Sequence, residues 1–249
     1  MSGRSYTYGA LKDLVKKLGS GLTQRGFKKG DVFAIILPNI PEYAIVFFGV
    51  VCIGGIVTTI NPLYTVEELV HQLQDAGATY LITVPQMLDK SKEASSIVGI
   101  TNVFVIGESN NCASFTELLN NDGLSFPEGL SVNPKEDVIC LPYSSGTTGL
   151  PKGVMLTHYN MLADVAIVSG EQLLQFNEEA TVLGVLPFFH IYGLVIVMSL
   201  TLFQGGKIVC MPRFEPEKFL ETLQNYKVIY FFFIGEMLRL LFTICFICN

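Results

Sequence analysis

At 249 residues the chain is long enough for one large domain or two small ones, and half of its residues are hydrophobic while 15% are charged. A mean hydropathy of +0.46 implies an extensively buried sheet. A net charge of −6 and a pI near 5.1 exclude a general attraction to nucleic acid, and no run of like charge reads as an interaction tail.

Arg4, Lys12 and Asp13 come before any apolar block, so the N-terminus does not read as a secretory signal. Leu11, Leu14, Val15, Leu18 and Leu22 recur at helical spacing, and Gly26 and Gly30 close that helix before a buried strand at 32–37. An apolar helix is predicted over 41–53 and a strand over 56–60. Thr65-Val66-Glu67-Glu68 is a capping box opening a helix whose inner face is Val66, Leu69, Val70 and Leu73. Strands at 78–84 and 103–106 flank a polar helix around 87–96. Residues 108–133, rich in Asn, Ser and Gly, read as a surface connection. A strand at 138–141 follows, then a strand at 154–157, a helix over 161–174, strands at 182–186 and 207–211, and a helix over 217–226 with Phe219, Leu220 and Leu223 inward. Such β–α alternation predicts parallel sheets covered by helices.

The cysteines at 52, 112, 140, 210, 245 and 248 form no disulfide framework. Cys52, Cys140 and Cys210 lie in apolar runs and are expected to be core-packed thiols, which suits a reducing compartment. Cys245 and Cys248 have redox or zinc spacing, but they have no second pair, no nearby His and an apolar setting.

The chemistry concentrates in Tyr143-Ser144-Ser145-Gly146-Thr147-Thr148-Gly149-Leu150-Pro151-Lys152-Gly153. Glycines permit close backbone approach to an anion, successive N–H groups form a concavity, and the hydroxyls add rotatable donors. Lys152 adds a point charge, so the expected ligand is a polyphosphate. Walker A is excluded, because that motif needs Gly before its Lys and Ser or Thr after it, whereas Pro151 and Gly153 flank Lys152.

Ser144–Gly153 resembles the nucleotide-binding signature of the adenylate-forming enzymes, closest to the 4-coumarate–CoA ligase and luciferase branch. Leu186-Pro187-Phe188-Phe189-His190-Ile191-Tyr192 and Asn61-Pro62 with Thr65-Val66-Glu67-Glu68-Leu69 match further family segments in the same order. The resemblance implies an α/β fold, namely an incomplete large N-terminal domain of mostly parallel sheets flanked by helices, with the small C-terminal domain absent. It covers residues 1–227, a partial AMP-binding domain, and leaves 228–249 as a divergent hydrophobic tail.

The implied reaction is an acid–CoA ligase reaction, in which a carboxylic acid is adenylated by ATP and then transferred to coenzyme A, with Mg²⁺ as cofactor. Carried onto this sequence, Ser144, Ser145, Gly146, Thr147, Thr148, Gly149 and Lys152 would hold the phosphates, and Thr148 would also approach the metal. His190 would be the catalytic histidine between α-phosphate and acyl group. Tyr192 would line the acyl-adenylate pocket or be a plain core tyrosine, and Arg213 would meet a coenzyme A phosphate or be a solvated surface residue. His158 reads as structural and His71 as a surface residue, and Asp75 and Glu171 have no identifiable partner.

No Tyr-Gly-x-Thr-Glu motif occurs in these residues, so the metal-binding glutamate of the resemblance has no counterpart, nor do the ribose aspartate, the hinge or the C-terminal lysine. A truncated ligase that does not complete turnover alone is therefore expected. The alternatives are a non-catalytic isoform, anchored to a membrane through the apolar run 228–248, or a luciferase-like monooxygenase, which would share every motif. The interruption by Glu236 and Arg239 disfavours the anchor. The resemblance implies an intracellular setting, cytoplasmic or peroxisomal, although Ile247-Cys248-Asn249 is no peroxisomal tripeptide.

Overall fold

A computed structural model describes residues 3–109, 111–144, 151–170, 173–174, 176–233 and 235. The chain divides into two compact units, Ser2–Ala163 and Asp164–Asn249.

The first unit contains α1 (Tyr8–Gln24), β1 (Val32–Ile35), α2 (Glu42–Val51), β2 (Ile56–Thr59), α3 (Val66–Asp75), β3 (Ala78–Thr83), α4 (Leu88–Val98), β4 (Asn102–Val105), β5 (Ala113–Ser114), α5 (Phe115–Leu119), β6 (Val138–Ser144), β7 (Lys152–Gly153), β8 (Leu156–Thr157) and the start of α6 (His158–Val168). The sheet runs β5-β4-β3-β1-β2-β6-β7, with β8 also on β6. Strands β1 to β6 pair in parallel, and β7 and β8 run antiparallel to β6. Short βαβ crossovers of this kind need helices on the sheet faces, which explains why β1 is buried along its whole length.

Alternation along the strands divides the core in two. Val32, Ala34 and Ile36 pack with Leu69 and Leu73 of α3 and Ala94 of α4. The intervening Phe33 stacks on Tyr80, and Tyr80 on Phe104, with Phe27 edge-on to Tyr80 at 5.0 Å. At the start of α2, Glu42 is almost fully buried. Arg4 Nη1 lies 3.0 Å from its Oε1, and Tyr6 Oη donates to the same oxygen at 2.9 Å. Burial, and then that hydrogen bond, pushes the Tyr6 phenol up to about 12.

The second unit pairs β9 (Thr181–Gly184) with both β10 (Lys207–Cys210) and β11 (Tyr230–Phe231), all parallel. Between β9 and β10 lie a buried π-helix, Gly193–Leu200, and α7 (Thr201–Phe203); α8 (Pro216–Asn225) precedes β11. Ile229 N–H donates to Thr181 O at 2.9 Å, and Val228 and Phe233 pack on the cluster around Leu183 and Phe219. The described start of the apolar run at 228–248 therefore adds a strand to this sheet, and no described helix is long and apolar enough to cross a membrane.

Several expectations change. The stretch at 108–133 contains a second capping box, with Ser114 Oγ accepting from Thr116 N–H and Glu117 Oε1 accepting from Ser114 N–H. It opens α5, which buries Phe115 and Leu118. The strand expected at 154–157 shortens to β8, and exposed Val154 and Met155 separate it from β7, with Val154 N–H donating to Pro142 O. Thr157 and Asn160 cap one another, so α6 starts at His158 and ends at Val168 rather than spanning 161–174. On α8 Leu220 faces outward and Thr222 takes the inner position, its hydroxyl donating to Lys218 O. Cys52 is exposed, whereas Cys140 is buried and its thiol is pushed up to about 12 by that burial. His71 is no free surface residue: its Nε2 is buried without a hydrogen-bond partner.

The α1–α5 contact supplies a test. A Cβ on Gly21 would overlap the carbonyl of Leu118. On an exposed helix Gly→Ala stabilises by up to about 1 kcal/mol. Here Gly21→Ala is expected to destabilise by about 1–3 kcal/mol, because the added methyl group must displace backbone. Urea unfolding measures the sign, and a stabilised Gly21→Ala variant would rule out this packing.

Candidate functional site

Strand β6 ends at Ser144, where the Ser144–Gly153 segment begins. Thr58 Oγ1 on β2 donates to Leu141 O at 3.1 Å and accepts from Gln72 Nε2 of α3 at 2.9 Å, a buried network that fixes β6 against β2. Beyond Leu141 the strand emerges at its carboxyl end, where open α/β sheets bind ligands. It pairs there with β7, setting Tyr143 opposite Gly153 and Ser144 opposite Lys152. Ser144 and Lys152 are both exposed. Lys152 has no ion-pair partner among the described residues, so its charge is free for an anion. Ser145, Gly146, Thr147, Thr148 and Gly149 lie outside the described residues.

Tyr143 is tied down more firmly than its sequence suggests. Its hydroxyl donates to Asp75 Oδ2 at 2.5 Å, so Asp75 has a partner that is not apparent in the sequence. Burial first, then Asp75, holds the phenol well above its ordinary range, so it remains a donor.

Near the other end of the hairpin, His158 opens α6 beside Asp137. Its N–H donates to Asp137 O at 3.2 Å, and Lys29 Nζ lies 2.6 Å from Asp137 Oδ2. The hydrogen bond from Lys29 lowers the Asp137 pKa, while burial lowers that of His158 despite Asp137. These contacts are structural.

In the second unit, the turn after β9 carries His190 and Tyr192. Buried Phe188 lies against Gly184, where a Cβ would sit 2.9 Å from the ring. His190 N–H donates to Pro187 O at 3.1 Å, and His190 O accepts from Leu194 N–H at 2.9 Å, so the π-helix grows directly out of the turn. Gly193 is needed there because a Cβ would overlap Pro187 O. π-Helical segments recur at functional sites. The His190 side chain is exposed, and its Nδ1 accepts from Tyr192 N–H at 3.3 Å. A neutral imidazole accepting at Nδ1 carries its proton on Nε2, which then points a donor outward. Tyr192 is 44% exposed and meets Phe232 edge-on at 5.8 Å, so it is not a core tyrosine. Arg213 is exposed and acts on Glu215, which pairs with Lys218 at 2.6 Å.

The phosphate-loop residues thus belong to one unit, and His190, Tyr192 and Arg213 to the other. Among the described residues no group of three or more His, Cys, Asp or Glu could hold a metal ion.

Two measurements check these assignments. A His with a lowered folded pKa stabilises the fold fully above the unfolded value near 6.5 and loses that contribution as pH falls below it. Wild type is therefore expected to lose stability in urea between mildly alkaline and weakly acidic pH, and His158→Gln to lose less; parallel curves would contradict the assignment. For His190, ¹⁵N NMR at mildly alkaline pH is expected to show a protonated Nε2 and a bare Nδ1. A proton on Nδ1 would exclude the Tyr192 hydrogen bond.

Comparison with known proteins gives this geometry its context. The profile of the AMP-binding enzyme family matches residues 1–245. A probable 4-coumarate–CoA ligase 1 from Dictyostelium discoideum is 37% identical over 242 residues, covering 90% of this chain and 44% of the relative. The 4-coumarate–CoA ligase 1 of Petroselinum crispum is 38% identical over 229 residues, covering 91% and 42%. A long-chain-fatty-acid–CoA ligase from Archaeoglobus fulgidus superimposes with a TM-score of 0.86 at 30% identity, over 97% of this chain and 48% of that one. ATP-bound MatB from Rhodopseudomonas palustris gives 0.76 at 26% identity, over 90% and 43%. The chain spans less than half the length of these relatives. It belongs to the AMP-binding enzyme family, and its fold is the α/β architecture of the N-terminal domain of adenylate-forming enzymes.

Proposed function

We propose that this AMP-binding family member carries the triphosphate cradle and the histidine turn of an AMP-forming acid–CoA ligase of the 4-coumarate type. The observation that carries the reading is the β6–β7 stem, which presents Ser144 opposite an exposed Lys152, without an ion-pair partner among the described residues, at the carboxyl end of a parallel sheet. In that reaction a carboxylate oxygen attacks the α-phosphorus of ATP, forming acyl-adenylate and releasing pyrophosphate. The sulfur of coenzyme A then displaces AMP. Charge accumulates on the phosphates in the first step, so fixed donors contribute most.

Lys152 and the Ser144 hydroxyl, with Ser145, Gly146, Thr147, Thr148 and Gly149, would bind the β- and γ-phosphates. The outward Nε2–H of His190 would donate to an oxygen between the α-phosphate and the acyl carboxylate, keeping two anions apart. Tyr192 would line the acyl pocket, and Arg213 would meet a coenzyme A phosphate. A divalent cation on the triphosphate would neutralise part of its charge, with Thr148 beside it. We assign completion of turnover to groups outside these 249 residues.

Isothermal titration with ATP and with tripolyphosphate tests the cradle. Lys152→Ala is expected to weaken both by about tenfold, the loss of one charge-assisted contact. Unchanged affinity would discard the cradle. Acid-dependent pyrophosphate release by the 249-residue chain is expected to stay at background, and robust release would show that turnover needs nothing further.

A further inference from the structure

We infer that Tyr143 and Asp75 form a positioning pair that sets the β6–β7 stem and thereby aims Lys152, an inference resting on the triphosphate reading above. The argument begins with an anomaly. Asp75 is the last residue of α3, at the negative end of the helix dipole, where a carboxylate is unfavourable and a basic residue would be favoured. α3 has no basic residue in its last turn, and its first turn already holds Glu67 and Glu68. The misplaced acid accepts the Tyr143 hydroxyl across 68 residues of sequence.

The geometry is that of a two-point attachment. Gln72 and Asp75, three apart on α3, share a helix face; Leu141 and Tyr143, two apart on β6, share a strand face. Gln72 reaches the Leu141 carbonyl through the Thr58 hydroxyl, and Asp75 reaches Tyr143 directly. Leu141 and Tyr143 also pack on the core cluster that includes Leu69, Leu73 and Ala76. The Tyr143 ring then covers Gly153, where a Cβ would sit 3.1 Å from both Cζ and Oη. Gly153 is adjacent to Lys152, and Lys152 pairs with Ser144. One face of α3 therefore fixes the strand that leads into the loop and, through the Tyr143 ring, the strand that leaves it.

The pair is assigned a positioning role, so its test needs a readout that a merely structural role would leave alone. Tyr143→Phe, Asp75→Ala and the double variant are compared with wild type by urea unfolding and by titration with ATP and tripolyphosphate. Tyr143→Phe is expected to weaken both ligands by roughly two- to tenfold, the range of one hydrogen bond. The double variant is expected to bind no worse than Tyr143→Phe, because both remove one contact. Should Tyr143→Phe fail to fold, Asp75→Ala, which removes the acceptor at an exposed position, carries the same comparison. Full affinity in a folded Tyr143→Phe or Asp75→Ala, alongside weakened Lys152→Ala, overturns this inference alone. Full affinity in Lys152→Ala as well overturns the triphosphate reading and this inference with it.

Discussion

The Thr58 hydroxyl is the point on which the site depends. It has no solvent exposure, so its donor and acceptor must both be satisfied inside the protein. Gln72 supplies one bond and the Leu141 carbonyl the other. Gln72 Nε2 also reaches Thr59 O at 3.1 Å, which ties α3 to β2 twice. Moving β6 along its neighbour would leave the buried Thr58 hydroxyl without its acceptor, at about 1–3 kcal/mol for an unsatisfied buried group. The register of β6, and with it the point at which the chain leaves the sheet to form the phosphate loop, is therefore set by side-chain chemistry as well as by the strand ladder.

What could be read from the sequence follows from how local the determining physics is. The Thr65 capping box was legible because its four residues carry the whole mechanism, and both reciprocal bonds are present. Parallel sheet and covering helices were legible from period and punctuation. α5 was also written locally, as Ser114-Phe115-Thr116-Glu117, but the Asn- and Gly-rich surroundings outweighed it. The π-helix was not legible, since a run that is apolar on every side has no period to read. Gln72 and Asp75 were missed for another reason: their partners are in β2 and β6, and no spacing along α3 announces them.

The candidate site divides in the same way. Residue identities around Ser144 and His190, in order, carried the family, and the family match extends over residues 1–245. Identity alone left Tyr192 between pocket and core; its exposure and its edge-on contact with Phe232 decide against core. The orientation of His190 also required three dimensions. A backbone N–H two residues downstream occupies Nδ1, and Gly193 beside it lets the π-helix start against Pro187.

Electrostatics links the local contacts to the proposed chemistry. A chain of net charge −6 that binds a polyanion must concentrate positive potential where the anion sits. Lys152 can do so only if no carboxylate neutralises it. The stem that carries Lys152 is built on a strand whose Tyr143 engages Asp75, and an acid that accepts a tyrosine hydroxyl at 2.5 Å has one oxygen committed away from the lysine. The same economy appears at Asp137, where Lys29 occupies the carboxylate beside the start of α6. In the proposed reading Lys152, which has no ion-pair partner among the described residues, supplies that local positive potential.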